Sequence, residues 1–129
     1  MNSTTGRCLC GAVRYRFGGP FIWTAHCHCE SCRRNTASPV TTFFAVGKDG
    51  FEWTGDAPES YNSSPGVTRR FCRRCGTPMS YENASLPGEI HLYAVSLDDG
   101  AGFSPERHDF WNERVAWLPI VDDLPKCTA

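Results

Sequence analysis

The chain has no long hydrophobic run. No apolar stretch approaches the ~18 residues that a membrane-crossing helix takes, which excludes a helical span and any membrane partner of that kind. The opening stretch, Met1 to Arg7, is polar and contains no apolar segment of the type that directs secretion. A cytoplasmic location is therefore expected, where thiols stay reduced. A basic surplus is also missing. Lys plus Arg number 13 against 14 Asp plus Glu, a formal charge of −1, whereas a polyanion-binding surface needs a clear positive excess. Nucleic acid is thus the least expected partner. Repeats, low-complexity tracts and linkers are absent as well. The 129 residues are expected to form one domain, 1–129, with a core over about 6–126 and an irregular C-terminal tail.

Helical periodicity is scarce, and what replaces it is β pattern. Ala12 to Phe17 alternates, with Val13, Tyr15 and Phe17 on one face and Arg14 and Arg16 on the other. Val40 to Val46 is β-branched and aromatic, as a buried strand should be. Glu89 to Val95 sets Ile90, Leu92 and Ala94 against His91, Tyr93 and Val95. Shorter strands are expected at Phe21–Ala25, Phe51–Thr54, Val67–Phe71 and Met79–Tyr81. Turn signals separate them at Gly18–Pro20, Gly47–Gly50, Gly55–Pro58, Ser63–Gly66 and Pro87–Gly88. Only Glu30 to Thr36 has helical character. The tail from Phe103, with Pro105, Pro119 and Pro125, reads as extended or irregular. The expected fold is mainly β: a small domain of several short antiparallel strands with little helix.

Zinc enters through the cysteines. Seven of the eight fall into three clusters: Cys8 and Cys10; Cys27, Cys29 and Cys32; Cys72 and Cys75. Thiols so close in sequence are poorly placed to bridge each other and well placed to share one metal ion. Cys72-x-x-Cys75-Gly76 is a zinc-knuckle turn, its glycine free to take the positive φ such turns often need. A redox pair is the other reading of C-x-x-C, but it goes with a following helix in an α/β pattern, which is missing. Cys8-x-Cys10-Gly11 is the natural second half of the knuckle. Four thiolates close a tetrahedral zinc site, so this one is structural.

Cys27-x-Cys29-x-x-Cys32 supplies only three ligands. His26, His28, a distant residue such as Cys127, water or a substrate could complete it. His28, between two ligands, should point away from the ion they share. Cys127, the third residue from the end, belongs to a segment expected to fray. The favoured reading is an open position. A zinc held by three thiolates carries net −1 and is a weak Lewis acid, yet it deprotonates a fourth thiol outright. That chemistry suits addition of an external thiol to a small electrophile, or cleavage of the carbon–sulfur bond so formed. Seven thiolates and two Zn²⁺ would take the formal −1 to −4.

These motifs resemble the glutathione-dependent formaldehyde-activating domain, shared with the centromere protein V group. The likeness lies in Gly6-Arg7-Cys8-Leu9-Cys10-Gly11-Ala12-Val13-Arg14-Tyr15, in Cys27-His28-Cys29-Glu30-Ser31-Cys32-Arg33-Arg34, and in Phe71-Cys72-Arg73-Arg74-Cys75-Gly76-Thr77-Pro78-Met79. Pro105, His108, Trp117 and Pro125 follow the same pattern less specifically. The resemblance implies a zinc-bound β-tent fold. It implies a structural zinc on Cys8, Cys10, Cys72 and Cys75, and a second, catalytic zinc on Cys27, Cys29 and Cys32. It also implies a carbon–sulfur lyase, an S-(hydroxymethyl)glutathione synthase, with glutathione as cosubstrate and formaldehyde or a similar electrophile. One departure stands out: where many relatives carry a glycine after the central cysteines, Thr36 here precedes Ala37 and Ser38.

Arginine grips carboxylates in a bidentate fork, and glutathione has two carboxylates. Arg33 and Arg34 follow the open cluster and are the candidate cosubstrate-binding residues; Arg69, Arg70, Arg73 and Arg74 flank the knuckle. Glu30 and His108 are candidate proton carriers. Phe43, Phe44, Trp53, Trp111 and Trp117 are core aromatics or pocket walls. The competing functions are a non-catalytic zinc module that binds a thiol or a protein partner, a nucleic-acid-binding domain, and a sulfoxide-reductase-like enzyme using Cys127. The last lacks anything to activate that thiol.

Overall fold

The structure, a computed structural model, describes residues 3–129; Met1 and Asn2, the start of the polar opening stretch, lie outside the described residues. Ten strands and one α-helix follow in order: β1 Thr4–Arg7, β2 Arg14–Phe17, β3 Trp23–Cys27, α1 Glu30–Thr36, β4 Thr41–Gly47, β5 Phe51–Trp53, β6 Glu59–Ser64, β7 Val67–Phe71, β8 Pro78–Asn83, β9 Glu89–Tyr93 and β10 His108–Asp109. Strands β1, β2 and β5 make a three-stranded antiparallel sheet. The other seven run in the order β10-β3-β4-β9-β8-β7-β6, antiparallel except where β10 lies parallel to β3. Among the described residues no helix is long and apolar enough to cross a membrane.

The two sheets pack through the alternation legible in β2. Val13, Tyr15 and Phe17 turn inward and meet Phe44, Val46, Met79, Ile90 and Leu92 from the larger sheet. Gly6 has to be small here, since a Cβ would lie 2.1 Å from the Tyr15 hydroxyl. That hydroxyl is bonded to Ser96 at 2.7 Å, so the ring cannot swing away without losing a buried bond.

The opposite face of the large sheet is covered too, by α1 and the tail. Cys27, Cys32, Phe43 and Tyr93 form a second cluster there, with Trp23, Tyr81 and Phe110 against it. This corrects the simple alternation expected of β9. His91 and Tyr93 are as buried as Ile90 and Leu92, because both faces of that strand are covered; only Val95, past its end, is exposed. Two polar strands also escape the hydrophobic pattern. β1 sits at the rim of the small sheet, and β6, exposed at all six positions, takes in Ser63 and Ser64 from the expected turn. The tail corrects a further expectation. Cys127 donates its N–H to the His108 carbonyl and accepts from Trp111 N–H, each at 2.8 Å, so the chain near its end is tied down rather than frayed.

Helix α1 runs over Glu30–Thr36, as its sequence suggests. Cys29 caps its start, its Sγ accepting from Cys32 N–H at 3.4 Å. Its end is set by Ala37 at φ 55°, ψ 36°, a left-handed residue whose following N–H, on Ser38, reaches back to the Arg33 carbonyl. Glycine occupies this conformation without steric cost, whereas alanine does not. Ala37→Gly is therefore expected to stabilise the fold by about 0.5–1 kcal/mol, read as a higher midpoint in denaturant unfolding.

Candidate functional site

Two loops from different sheets bring the first thiol cluster together. The β1–β2 loop carries Cys8 and Cys10, and the β7–β8 loop carries Cys72 and Cys75; their four sulfurs lie within 4.8 Å of one another. Cys10 Sγ is 3.7 Å from Cys8 Sγ and 3.8 Å from Cys72 Sγ. The knuckle closes with Gly76 N–H donating to the Cys72 carbonyl at 2.8 Å, which requires the positive φ of 79° that Gly76 adopts. Thr77 stitches the loops: its hydroxyl bonds the Cys75 sulfur at 3.1 Å and accepts from Leu9 N–H at 3.1 Å. That hydroxyl bond helps pull the Cys75 thiol down to about 5. Four convergent sulfurs on backbone fixed this way suit tetrahedral zinc and leave no further ligand position.

The second cluster is built at one strand–helix junction. Cys27 ends β3, Cys29 caps α1 and Cys32 lies in its first turn, with the three sulfurs again within 4.8 Å. Hydrogen bonds with Cys27 and Cys32 draw the Cys29 thiol well below its usual range, while Cys29 and Cys32, together with burial, push Cys27 upward. Three thiolates at such range repel unless a cation sits among them, and an all-sulfur set is a fit for zinc. Among the described residues no fourth ligand joins this group.

His26, one of the candidates for that fourth place, is a neighbour of the cluster and no member of it. Its Nδ1 lies 2.7 Å from Thr42 Oγ1, and its ring packs on His108. His28 turns away from the sulfurs, as its position between two ligands suggests, and its Nε2 meets His108 Nδ1 at 2.8 Å. Cys127 is bound into the tail by its backbone and is no member of either cluster.

The cluster faces a cavity of about 730 Å³. Its floor is one row of the large sheet, where Trp23, His91 and Tyr81 lie in register across β3, β4, β9 and β8. His91 stacks on Tyr81 at 5.4 Å and meets Trp23 edge-on at 4.6 Å. Arg69 continues the row on β7, opposite Tyr81. Although charged it is 4% exposed, and both terminal guanidinium nitrogens lie 3.9 Å from Cys32 Sγ. Its Nε donates to Ser63 Oγ at 3.0 Å and its guanidinium covers the Tyr81 ring at 5.0 Å. A cation buried this deeply needs an anion beside it, and the thiol cluster supplies one. Nothing in the sequence marks Arg69 out from its neighbours, because only strand pairing shows which face it shares with Cys32.

The remaining candidates divide. Arg34 lines the cavity and pairs with Glu30 at 2.7 Å, while Arg33 directs its Nε to the His28 carbonyl at 3.1 Å and is not part of the lining. The bond to Arg34 holds the Glu30 carboxyl below its usual range. Phe43 walls the cavity, Phe44 and Trp53 belong to the core between the sheets, and Trp117 is 71% exposed. A second hollow of about 730 Å³ lies beside Cys8. Its hydroxyls are engaged within the protein, Thr36 with the Cys32 carbonyl and Ser38 with the Val40 carbonyl. The cavity beside Cys27, Cys29 and Cys32 has all three thiols and the buried Arg69 in its wall.

Residues 3–113 match the model of the family described as glutathione-dependent formaldehyde-activating enzyme. The chain is 29% identical to an uncharacterized lyase of Schizosaccharomyces pombe, over 98% of this chain and 97% of the other. It is also 29% identical to a Halomonas elongata protein whose name places it with the glutathione-dependent formaldehyde-activating enzymes, over 89% of this chain and 79% of that one. Among solved structures, a Rhodobacter sphaeroides protein superposes with a TM-score of 0.63 at 24% identity, covering 78% of this chain and 91% of that chain, which bears on the fold alone.

Proposed function

The chain belongs to the glutathione-dependent formaldehyde-activating family, and on that premise we propose that it is a carbon–sulfur lyase-type enzyme. It joins a thiol cosubstrate, glutathione in first place, to formaldehyde or a similar small electrophile. The observation that carries the reading is the three-thiol cluster of Cys27, Cys29 and Cys32, with no fourth protein ligand among the described residues, at the wall of a cavity. The four thiols Cys8, Cys10, Cys72 and Cys75 hold a structural zinc, and the three hold a second one. When bound there, the second zinc supplies a position at which an incoming thiol loses its proton.

The protein's own residues do the rest. Arg69 offsets the negative charge that gathers at Cys32 when a further thiolate arrives. Phe43 and Tyr93, both buried beside the cluster, keep water from that side. Arg34 at the wall is placed to meet a cosubstrate carboxylate. In the addition, a sulfur lone pair forms the new S–C bond and the carbonyl π pair moves to oxygen. Oxygen takes up a proton, so the adduct differs from its reactants by no atom and no electron. The unit proposed to carry this is the whole of residues 1–129, acting on small molecules, in the cytoplasm, without nucleic acid.

The direct test is exchange between free glutathione and its hydroxymethyl adduct, followed by magnetisation transfer, because thiols and formaldehyde also combine unaided. Acceleration by the zinc-loaded protein above the uncatalysed exchange is expected. No acceleration, with thiol still bound, would instead make the domain a non-catalytic thiol-binding module. A further prediction concerns Arg69. Arg69→Met keeps most of the side chain's length and removes the charge, so glutathione affinity should fall by roughly tenfold or more, measured by calorimetry. Unchanged affinity would remove Arg69 from the account.

A further inference from the structure

Behind the open cluster lies a polar chain, buried at its two histidines and reaching the surface at Asp122, that the proposed chemistry leaves unused. Asp122 Oδ2 accepts from His108 Nε2 at 2.8 Å, and His108 Nδ1 lies 2.8 Å from His28 Nε2. His108 has no exposed surface and His28 has 1%. Trp111 meets both rings edge-on at 4.7 and 5.1 Å. The backbone follows the same path: His28 N–H donates to the Asp109 carbonyl at 3.0 Å, and His108 N–H to that of Pro125 at 2.8 Å. Asp122 itself lies beyond the residues matched by the family model, which end at 113.

Successive side chains of an extended segment point to opposite sides. Cys27 closes β3 and Cys29 is itself extended, at φ −64° and ψ 146°. A His28 ring anchored toward the tail therefore directs both neighbouring sulfurs the other way, toward the cavity and Cys32. An apolar residue at 28 would be held only by packing, whereas two hydrogen bonds in series fix the ring in direction and distance.

We propose that His108 and Asp122 are positioning residues for the open cluster, holding His28 so that Cys27 and Cys29 converge with Cys32 on one ion. The inference rests on reading that cluster as a metal site. Groups bonded directly to metal ligands typically change metal affinity by about 10–100-fold; His108 and Asp122 act one residue further out, through His28, and are expected at the lower end of that range.

The test uses the full-length zinc-loaded protein and follows zinc release to the chelator 4-(2-pyridylazo)resorcinol. Wild type should release zinc in two phases, the slower from the four-thiol site. In Asp122→Ala the faster phase should speed up about tenfold while the slower is unchanged. The exchange-protected imidazole N–H proton of His108 should also vanish from the proton spectrum. The Asp122 side chain is 29% exposed, so the truncation opens no closed cavity. Lys126→Ala removes the other side-chain partner of that carboxylate, and both phases should keep their rates. Two phases unmoved by Asp122→Ala, or both accelerated alike, would overturn the positioning role. A single phase in wild type would overturn the second metal site, and this inference with it.

Discussion

Cys75→Ala is expected to leave the chain without a cooperative unfolding transition at ambient temperature. Cys75 is one of four sulfurs joining the β1–β2 loop of the small sheet to the β7–β8 loop of the large one. Structural zinc contributes about 10–16 kcal/mol in small zinc-binding peptides, as much as the whole stability of an ordinary domain, about 5–15 kcal/mol. Without the metal the sheets are left to apolar contact centred on Tyr15, Phe17, Phe44 and Leu92, and the small sheet has three strands. Circular dichroism and thermal melting should report loss of the native transition, with zinc content falling. A folded variant retaining one zinc would show that the core suffices without the knuckle.

Cys29→Ala should do the reverse, keeping the fold and abolishing thiol uptake. Its sulfur caps α1 by accepting from Cys32 N–H, so its removal costs roughly 1 kcal/mol of helix stability. It also removes one of three donors, and two thiolates hold zinc poorly against water and buffer. The expected protein melts a few degrees below wild type, keeps one zinc, and shows no heat on titration with glutathione. Equal loss of fold in the Cys29 and Cys75 variants would end the division of labour between the clusters.

How far the sequence carries is clearest in these same elements. The cysteine partition is legible because metal-ligand spacing is local, and α1 and β7 lie where pattern and punctuation place them. β6 is invisible to such reading, since an exposed edge strand needs no apolar alternation; its six residues are all exposed. β9 misleads for the opposite reason, being covered on both faces. His108 shows the remaining limit. Its partners His28 and Asp122 are 80 and 14 positions away, and no periodicity links a histidine in a proline-rich tail to a ring between two cysteines. Arg69 and Cys32, 37 positions apart, meet only because β7 and α1 share a face of the large sheet.

The central claim is that one cluster is closed and the other admits a thiol. Zinc X-ray absorption on the loaded protein, with and without glutathione, reads this directly. Without glutathione about seven sulfur contacts should be shared by two ions, and with it about eight, the new contact arising at the cluster of Cys27, Cys29 and Cys32. Sulfur coordination that stays the same on adding glutathione would contradict the account.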